Sequence, residues 1–70
     1  MEKNLNLHET SLLLDERQVS GILGIAVQTL RNWRHESRGP AYAKLSRSVR
    51  YRMADIEQYV AQNRIDPETR

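Results

Sequence analysis

The segment from residue 15 to residue 35, DERQVSGILGIAVQTLRNWRH, constrains the fold more than any other part of the chain. A small residue, Ser20, is followed by Gly24 after four positions, by Leu30 after six more and by Trp33 after three more. The small residue permits close approach of two helices, and the glycine permits the positive φ that a tight turn needs. Two apolar residues three positions apart then fix a second helix onto the first. This spacing predicts a helix-turn-helix.

The two helices of this segment are predicted from their caps and apolar stripes. Asp15 and Gln18 have the spacing of a capping box, so the first helix is expected to begin there and to end at Gly24. The second helix is expected from about Ala26 to His35, and its alanine cap leaves N–H groups unpaired that attract anions. The residues expected to face inward from the two helices are Val19, Ile22, Leu23, Thr29, Leu30 and Trp33.

The opposite face of the second helix is polar and continuous. Gln28, Arg31, Asn32 and His35 recur at i, i+3, i+4 and i+7, and Val27 lies beside them near the helix start. Arginine can pair with guanine, and glutamine or asparagine with adenine, in the major groove of DNA, which admits an α-helix. Candidate base-reading residues are therefore Val27, Gln28, Arg31 and Asn32. An ordinary amphipathic helix with a solvated side would show the same pattern.

A short β-hairpin is predicted after the helix-breaking sequence at residues 37–40. The flanks at 41–45 and 49–52 alternate, so Ala43, Leu45, Val49 and Tyr51 can face a core. The tip at 46–48 is polar and basic. Side chains of the hairpin that could contact phosphates or a minor groove are Lys44, Ser46, Arg47, Ser48, Arg50 and Arg52. The alternative interpretation is an edge hairpin that its charges keep soluble.

The rest of the chain completes one small domain. A last helix is predicted at about Ala54 to Asn63, with Met53, Ile56, Tyr59 and Val60 as its apolar stripe. Leu12 to Leu14 is too short an apolar run for a helix and is expected to pack just ahead of the first one. We expect a flexible tail at 1–11, a folded domain at 12–64 and a frayed end at 65–70. The predicted fold class is mainly α with a small β-hairpin.

Charge is distributed unevenly along the 70 residues, whose formal net charge is only +2. The segment from Arg31 to Arg52 holds seven basic residues and one acidic residue, whereas the rest holds four basic and eight acidic residues. A basic middle between acidic ends indicates a surface for a polyanion, although a solvated charged face is the simpler alternative.

Several classes of function are disfavoured. The chain has no cysteine, and two histidines, His8 and His35, are too few for a metal site; His35 is expected at a phosphate or in solvent. No activated nucleophile, phosphate loop or carboxylate pair is recognisable, so we expect neither an enzyme nor a cofactor. Trp33, Tyr51 and Tyr59 could stack on bases, but core packing is the favoured interpretation. No apolar run spans a membrane and no secretory signal is visible, so a cytoplasmic protein is expected.

These residues together resemble the small MerR-like winged helix-turn-helix family, which includes phage and mobile-element excisionases and AlpA-type regulators. The resemblance covers about Leu12 to Arg64. It rests on Leu13-Leu14-Asp15, Val19-Ser20, Leu23-Gly24-Ile25, Thr29-Leu30, Trp33, Gly39-Pro40, Tyr42, Leu45, Arg47, Val49-Arg50-Tyr51 and Asp55-Ile56.

The resemblance implies a recognition helix in the major groove, a two-stranded wing on the neighbouring minor groove or backbone, and a supporting C-terminal helix. By position, Val27, Gln28, Arg31 and Asn32 would face bases or nearby phosphates, and Arg34, Lys44, Arg47 and Arg50 would hold the backbone. Three residues depart from the family pattern: Ala26 for a hydroxyl cap, Ser20 for alanine and Ser46 for a wing glycine.

Three functional hypotheses follow. The first is an excisionase that binds repeated sites in double-stranded DNA, bends the DNA and assists an integrase or other recombinase. Because one small basic module should bind a single site only modestly, neighbouring copies are expected to cooperate on the DNA. The second is a transcriptional regulator of a prophage or mobile element. The third is a protein-interaction module whose helical face from Arg31 to His35 docks an acidic partner.

Overall fold

The computed structural model describes residues 12–69 and has three helices and three strands. A single 3-10 turn, Pro67–Thr69, follows within the segment that was predicted to be frayed. The predicted fold class, a winged helix-turn-helix, is confirmed. In chain order the elements are β1 (Leu13–Leu14), α1 (Glu16–Leu23), α2 (Val27–His35), β2 (Ala43–Leu45), β3 (Ser48–Arg52) and α3 (Met53–Gln62).

Helix α1 begins and ends as its sequence predicts. The Asp15 carboxylate accepts a hydrogen bond from the Gln18 backbone N–H at 2.9 Å, and the Gln18 side chain accepts one from the Asp15 N–H at 2.9 Å. This reciprocal capping box satisfies two N–H groups that a bare helix start would leave unpaired. At the other end, Gly24 adopts φ 67° and donates its N–H to the Ser20 carbonyl at 2.9 Å.

Helix α2 begins without help from a side chain. Ala26 is its extended N-cap and makes no side-chain capping bond, as its methyl group dictates. After the helix, Ser37 and Gly39 adopt φ 60° and 89°, and the chain turns back under Trp33. A Cβ added to Gly39 would lie 2.7 Å from Trp33 Cε3, so only glycine permits this approach.

The sheet contains one more strand than the predicted hairpin. Strands β2 and β3 form that hairpin, with Leu45 opposite Ser48. The two-residue loop, Ser46-Arg47, has φ 60° at Ser46, a conformation for which glycine is the ordinary choice. Strand β1 pairs antiparallel with the other edge of β3, so the strand order is β1-β3-β2. A strand of two residues is too short to show alternation, which is why the apolar run gave no sign of pairing.

The core lies between α1, α2, α3 and β3. Its buried apolar side chains are at most 4% exposed: Leu14, Val19, Leu30, Tyr51 and Ile56. Three residues predicted to face inward do not: Ile22 and Leu45 are each 49% exposed, and Val60 is 51% exposed. A core built from so short a chain covers only the centre of each apolar stripe, and its edges stay in solvent.

Candidate nucleic-acid interface

The predicted base-reading residues share one face of α2. Gln28, Arg31, Asn32 and His35 are all exposed, and Val27 at the first position is half-buried. Gln28 Nε2 donates to Asn32 Oδ1 at 3.1 Å. This leaves Gln28 Oε1 as an acceptor and Asn32 Nδ2 as a donor without partners among residues 12–69. Adenine presents one acceptor and one donor in the major groove, so the pair has matching chemistry.

Arg31 is bound across the helix-turn-helix to Glu16, at the start of α1. Its Nε donates to both carboxylate oxygens, at 3.2 and 3.1 Å, and its Nη2 donates to Oε2 at 2.6 Å. The Arg31 side chain nevertheless stays 53% exposed. The two helices therefore meet through a charged pair at the edge of the proposed reading face.

Arg34 connects the same carboxylate to the wing, the hairpin of β2, β3 and their loop. Its Nη2 donates to Glu16 Oε1 at 3.1 Å, and its Nη1 donates to the Tyr51 hydroxyl at 2.8 Å. The guanidinium also lies 5.7 Å from the centroid of the Tyr42 ring. With only 16% of its side chain exposed, Arg34 joins α1, α2 and β3. Its predicted contact with the DNA backbone stays a prediction.

Glu16, Arg31 and Arg34 form a cluster in which the charges stabilise one another. The pKa of Glu16 is lowered, chiefly by its hydrogen bond from Arg31 and further by Arg34, against the opposing effect of burial. The pKa of Arg31 is raised by the same carboxylate. Burial lowers the pKa of Arg34, but its hydrogen bonds to Tyr51 and Glu16 outweigh burial and raise it. Two cations and one anion leave the cluster with a net positive charge at neutral pH.

The wing presents free cations at and near its tip. Lys44 and Arg47 are exposed and make no ion pair within residues 12–69, and the hydroxyls of Ser46 and Ser48 lie beside them on the exposed loop and strand end. Such groups are suited to phosphate oxygens.

The other two wing arginines are already engaged. Arg50 is half-buried and donates from Nη1 to the Val49 carbonyl at 2.7 Å. Arg52 forms a two-point pair with Asp55, with its Nε 3.0 Å from Oδ2 and its Nη2 3.2 Å from Oδ1, and this contact raises its pKa. The predicted DNA contacts of both residues stay predictions. The positive charge of Arg52 is already balanced by the Asp55 carboxylate.

A cleft of about 370 Å³ separates the wing from the start of α1 and from α2. Two carboxylates, Asp15 and Glu16, line it together with five arginines: Arg17, Arg31, Arg34, Arg47 and Arg50. Sequence reasoning did not select Glu16 or Arg17, because they lie next to each other in an acidic context at the start of a helix that was predicted to be structural. Only the fold brings them beside Arg31 and Arg34 of α2.

Of the three aromatic residues considered for base stacking, Tyr51 is 1% exposed and belongs to the core, as the favoured interpretation predicts. Trp33 and Tyr59 are half-buried against each other, with ring centroids 5.7 Å apart. The Arg38 guanidinium lies over the Trp33 ring, 5.8 Å from the ring centroid. Burial therefore closes Tyr51 to a stacked base, and Trp33 is already in contact with Tyr59 and Arg38.

Two further observations bear on other kinds of site. Within residues 12–69, no cluster of three or more His, Cys, Asp or Glu side chains is arranged to hold a metal ion. In the same part of the chain, no helix has the length and apolar character required to cross a membrane.

Comparison with known proteins identifies the fold family. The family model described as helix-turn-helix domain matches residues 13–64, which include β1, all three helices and the wing. A search of curated proteins found no match. Because the matched segment covers most of the chain, the protein belongs to the helix-turn-helix domain family, and DNA is the partner that this family implies.

Proposed function

We propose that this protein binds double-stranded DNA sequence-specifically, with α2 in the major groove and the wing on the neighbouring backbone. The observation that carries this proposal is the juxtaposition of an exposed hydrogen-bonding face on α2 with two wing cations, Lys44 and Arg47, which share clefts with Arg31 and make no ion pair within residues 12–69. Helix α2 has nine residues, and the diameter of an α-helix with its side chains, about 10–12 Å, suits insertion into a major groove about 12 Å wide.

The side chains divide into two proposed roles. Gln28, Arg31 and Asn32 read base edges, because they combine donors and acceptors on the exposed helical face. Lys44 and Arg47 contact phosphates, because their charges are exposed and unmatched within residues 12–69. Arg17 joins them at the side of the cleft formed by α1.

The proposed biological role is that of an excisionase. The helix-turn-helix family occurs in excisionase and AlpA-like proteins, and the sequence resembles both. A single module with one recognition helix binds one site modestly, so occupancy of repeated sites by neighbouring copies would supply the affinity that bending DNA for a recombinase requires.

Selection of bound duplexes from a random pool tests the proposal. The full chain should recover a short motif, and titration of that duplex should show affinity that falls steeply with salt concentration. Arg31→Ala should relax preference at one base pair, whereas Arg47→Ala should weaken all duplexes alike and reduce the salt dependence by about one charge. Equal binding of every duplex by the unmodified protein would contradict sequence-specific recognition.

A matched control removes the same charge elsewhere. Arg64 lies after α3, near Asp66, and lines a groove with Leu23 and Trp33 on the inner side of α2. Arg64→Ala should therefore leave both base preference and salt dependence unchanged. If it weakens binding as much as Arg47→Ala, the DNA-contacting surface is assigned to the wrong side of the molecule.

The arrangement of the recovered sites distinguishes an excisionase from a transcriptional regulator. Tandem repeats, together with bending of the bound duplex in a circular-permutation gel shift, would support an excisionase. An inverted repeat would indicate a dimeric regulator of AlpA type instead.

A further inference from the structure

Glu16 binds Arg31 in a way that leaves one edge of the guanidinium available. The carboxylate engages Nε and one side of Nη2. Because a guanidinium carries five N–H donors in a fixed plane, both N–H groups of Nη1 and one of Nη2 remain unused. Guanine is read in the major groove by two parallel N–H donors, directed at its O6 and N7 atoms. The unused Nη1 and Nη2 groups supply such a pair.

Glu16 is itself held in place independently of Arg31. Its Oε1 accepts from Arg34 Nη2 at 3.1 Å, and Arg34 is fixed through Nη1 to the hydroxyl of Tyr51, a core side chain in β3. Only 21% of the Glu16 side chain is exposed. The carboxylate is therefore a rigid support for a flexible arginine on a face that is otherwise in solvent.

We propose that Glu16 is a positioning residue for base recognition, which orients the Arg31 guanidinium for a guanine. This inference rests on the proposed DNA-binding function and assigns to α1 a part in specificity. An arginine that is already oriented loses less conformational freedom when it pairs with a base, so the correct base gains more than its competitors. The second cation, Arg34, keeps the cluster positive, so that the carboxylate does not repel the DNA backbone as a lone anion would.

The test compares discrimination at single base pairs. The probes are the duplex recovered by the unmodified chain and derivatives that each carry one base-pair change. Arg31→Ala should lose discrimination by about tenfold or more at one G·C pair. Glu16→Gln should lower discrimination at that same pair by roughly threefold to tenfold and leave the other positions unchanged. The reason is that Arg31, without the carboxylate, is free to sample other rotamers. The double variant should be no worse than Arg31→Ala alone.

Glu57→Gln is the matched control, because it removes the same charge from an exposed position on α3 that makes no ion pair within residues 12–69. It should retain full discrimination at every position. If Glu16→Gln tightens binding to the recovered duplex and retains discrimination, Glu16 competes with DNA for Arg31 and the proposal is overturned. If the unmodified chain recovers no motif, the proposed function itself fails.

A measurement on the unmodified protein does not depend on the folding of any variant. The Arg31 Nε–H group can be followed by NMR in the free protein and in the complex with the recovered duplex. Slow exchange of this hydrogen with solvent in both states is expected, because the Glu16 carboxylate holds it throughout. Fast exchange in the complex alone would show that DNA binding breaks the pair, and would overturn the positioning role.

Discussion

Replacement of Gly39 by alanine should be the most destabilising single-methyl change in this domain. The residue has φ 89°, which costs an L-residue about 1–2 kcal/mol. The added Cβ would lie 2.7 Å from Trp33 Cε3 and 3.1 Å from Trp33 Cβ. Relief of such an overlap in a packed region costs typically about 1–3 kcal/mol. The sum, about 2–5 kcal/mol, approaches the whole stability of a domain of this size, about 3–5 kcal/mol.

Gly24 and Gly21 separate the cost of backbone strain from the cost of steric overlap. Gly24 has φ 67° but nothing within 4 Å of an added Cβ, so Gly24→Ala should cost only the backbone strain, about 1–2 kcal/mol. Gly21 lies inside α1 with ordinary helical φ and open space, so Gly21→Ala should stabilise the domain by about 0.5–1 kcal/mol.

Urea unfolding, followed by circular dichroism and by the fluorescence of the single tryptophan, measures all three variants on one scale. The expected order of stability is Gly21→Ala, the unmodified protein, Gly24→Ala and then Gly39→Ala. If Gly39→Ala is no less stable than Gly24→Ala, the indole moves aside without cost and the argument from close packing is wrong. If Gly21→Ala destabilises the domain, the space beside Gly21 is not open and the argument from helix propensity is wrong.

Four further outcomes are expected. The ion pair of Glu16, whose folded pKa is lowered chiefly by Arg31, contributes stability above the unfolded pKa and loses it as pH falls through the folded value. In urea titrations below about pH 5, the unmodified protein should therefore lose more stability than Glu16→Gln. Asp15→Ala removes the carboxylate that accepts from the Gln18 N–H, while the backbone N–H of residue 15 can still donate to the Gln18 side chain, and should lower stability by about 1 kcal/mol, measured by the same titration. Ala26→Ser supplies the missing cap of α2 and should raise stability by about 0.5–1 kcal/mol. Ala26→Asp should also stabilise the free fold yet weaken duplex binding in a fluorescence titration, because its charge would face phosphates.

The cluster of Glu16, Arg31 and Arg34 explains how a very small domain can fix the exposed side of α2. Apolar contacts hold the inner side of α2 through Leu30, but they do not reach the exposed edge of the helix. Charged hydrogen bonds to α1 and to Tyr51 tie that edge to the rest of the fold. Side chains on rigid elements keep their geometry better than side chains on loops, which favours this design for specific contacts.

Local interactions are what the sequence determined by itself. The capping box joins residues three apart, the αL turn follows from Gly24, and the exposed face of α2 follows from helical periodicity, so each could be predicted before any contact was known. The hairpin and α3 were predicted to within one or two residues for the same reason. The polar face of α2 and the cationic wing tip, which form the larger part of the candidate interface, belong to this category.

Tertiary structure decided what depends on residues distant in the chain. The pairing of Leu14 with Tyr51, the contact of Glu16 with Arg31 15 positions away, and the contact of Arg34 with Tyr51 17 positions away have no local pattern. The same holds for the exposure of Ile22 and Val60, because the limits of a core depend on which elements meet and how much surface they can cover. The sequence therefore predicted which side chains could read DNA, and only the fold showed that one of them is held by a carboxylate from the preceding helix.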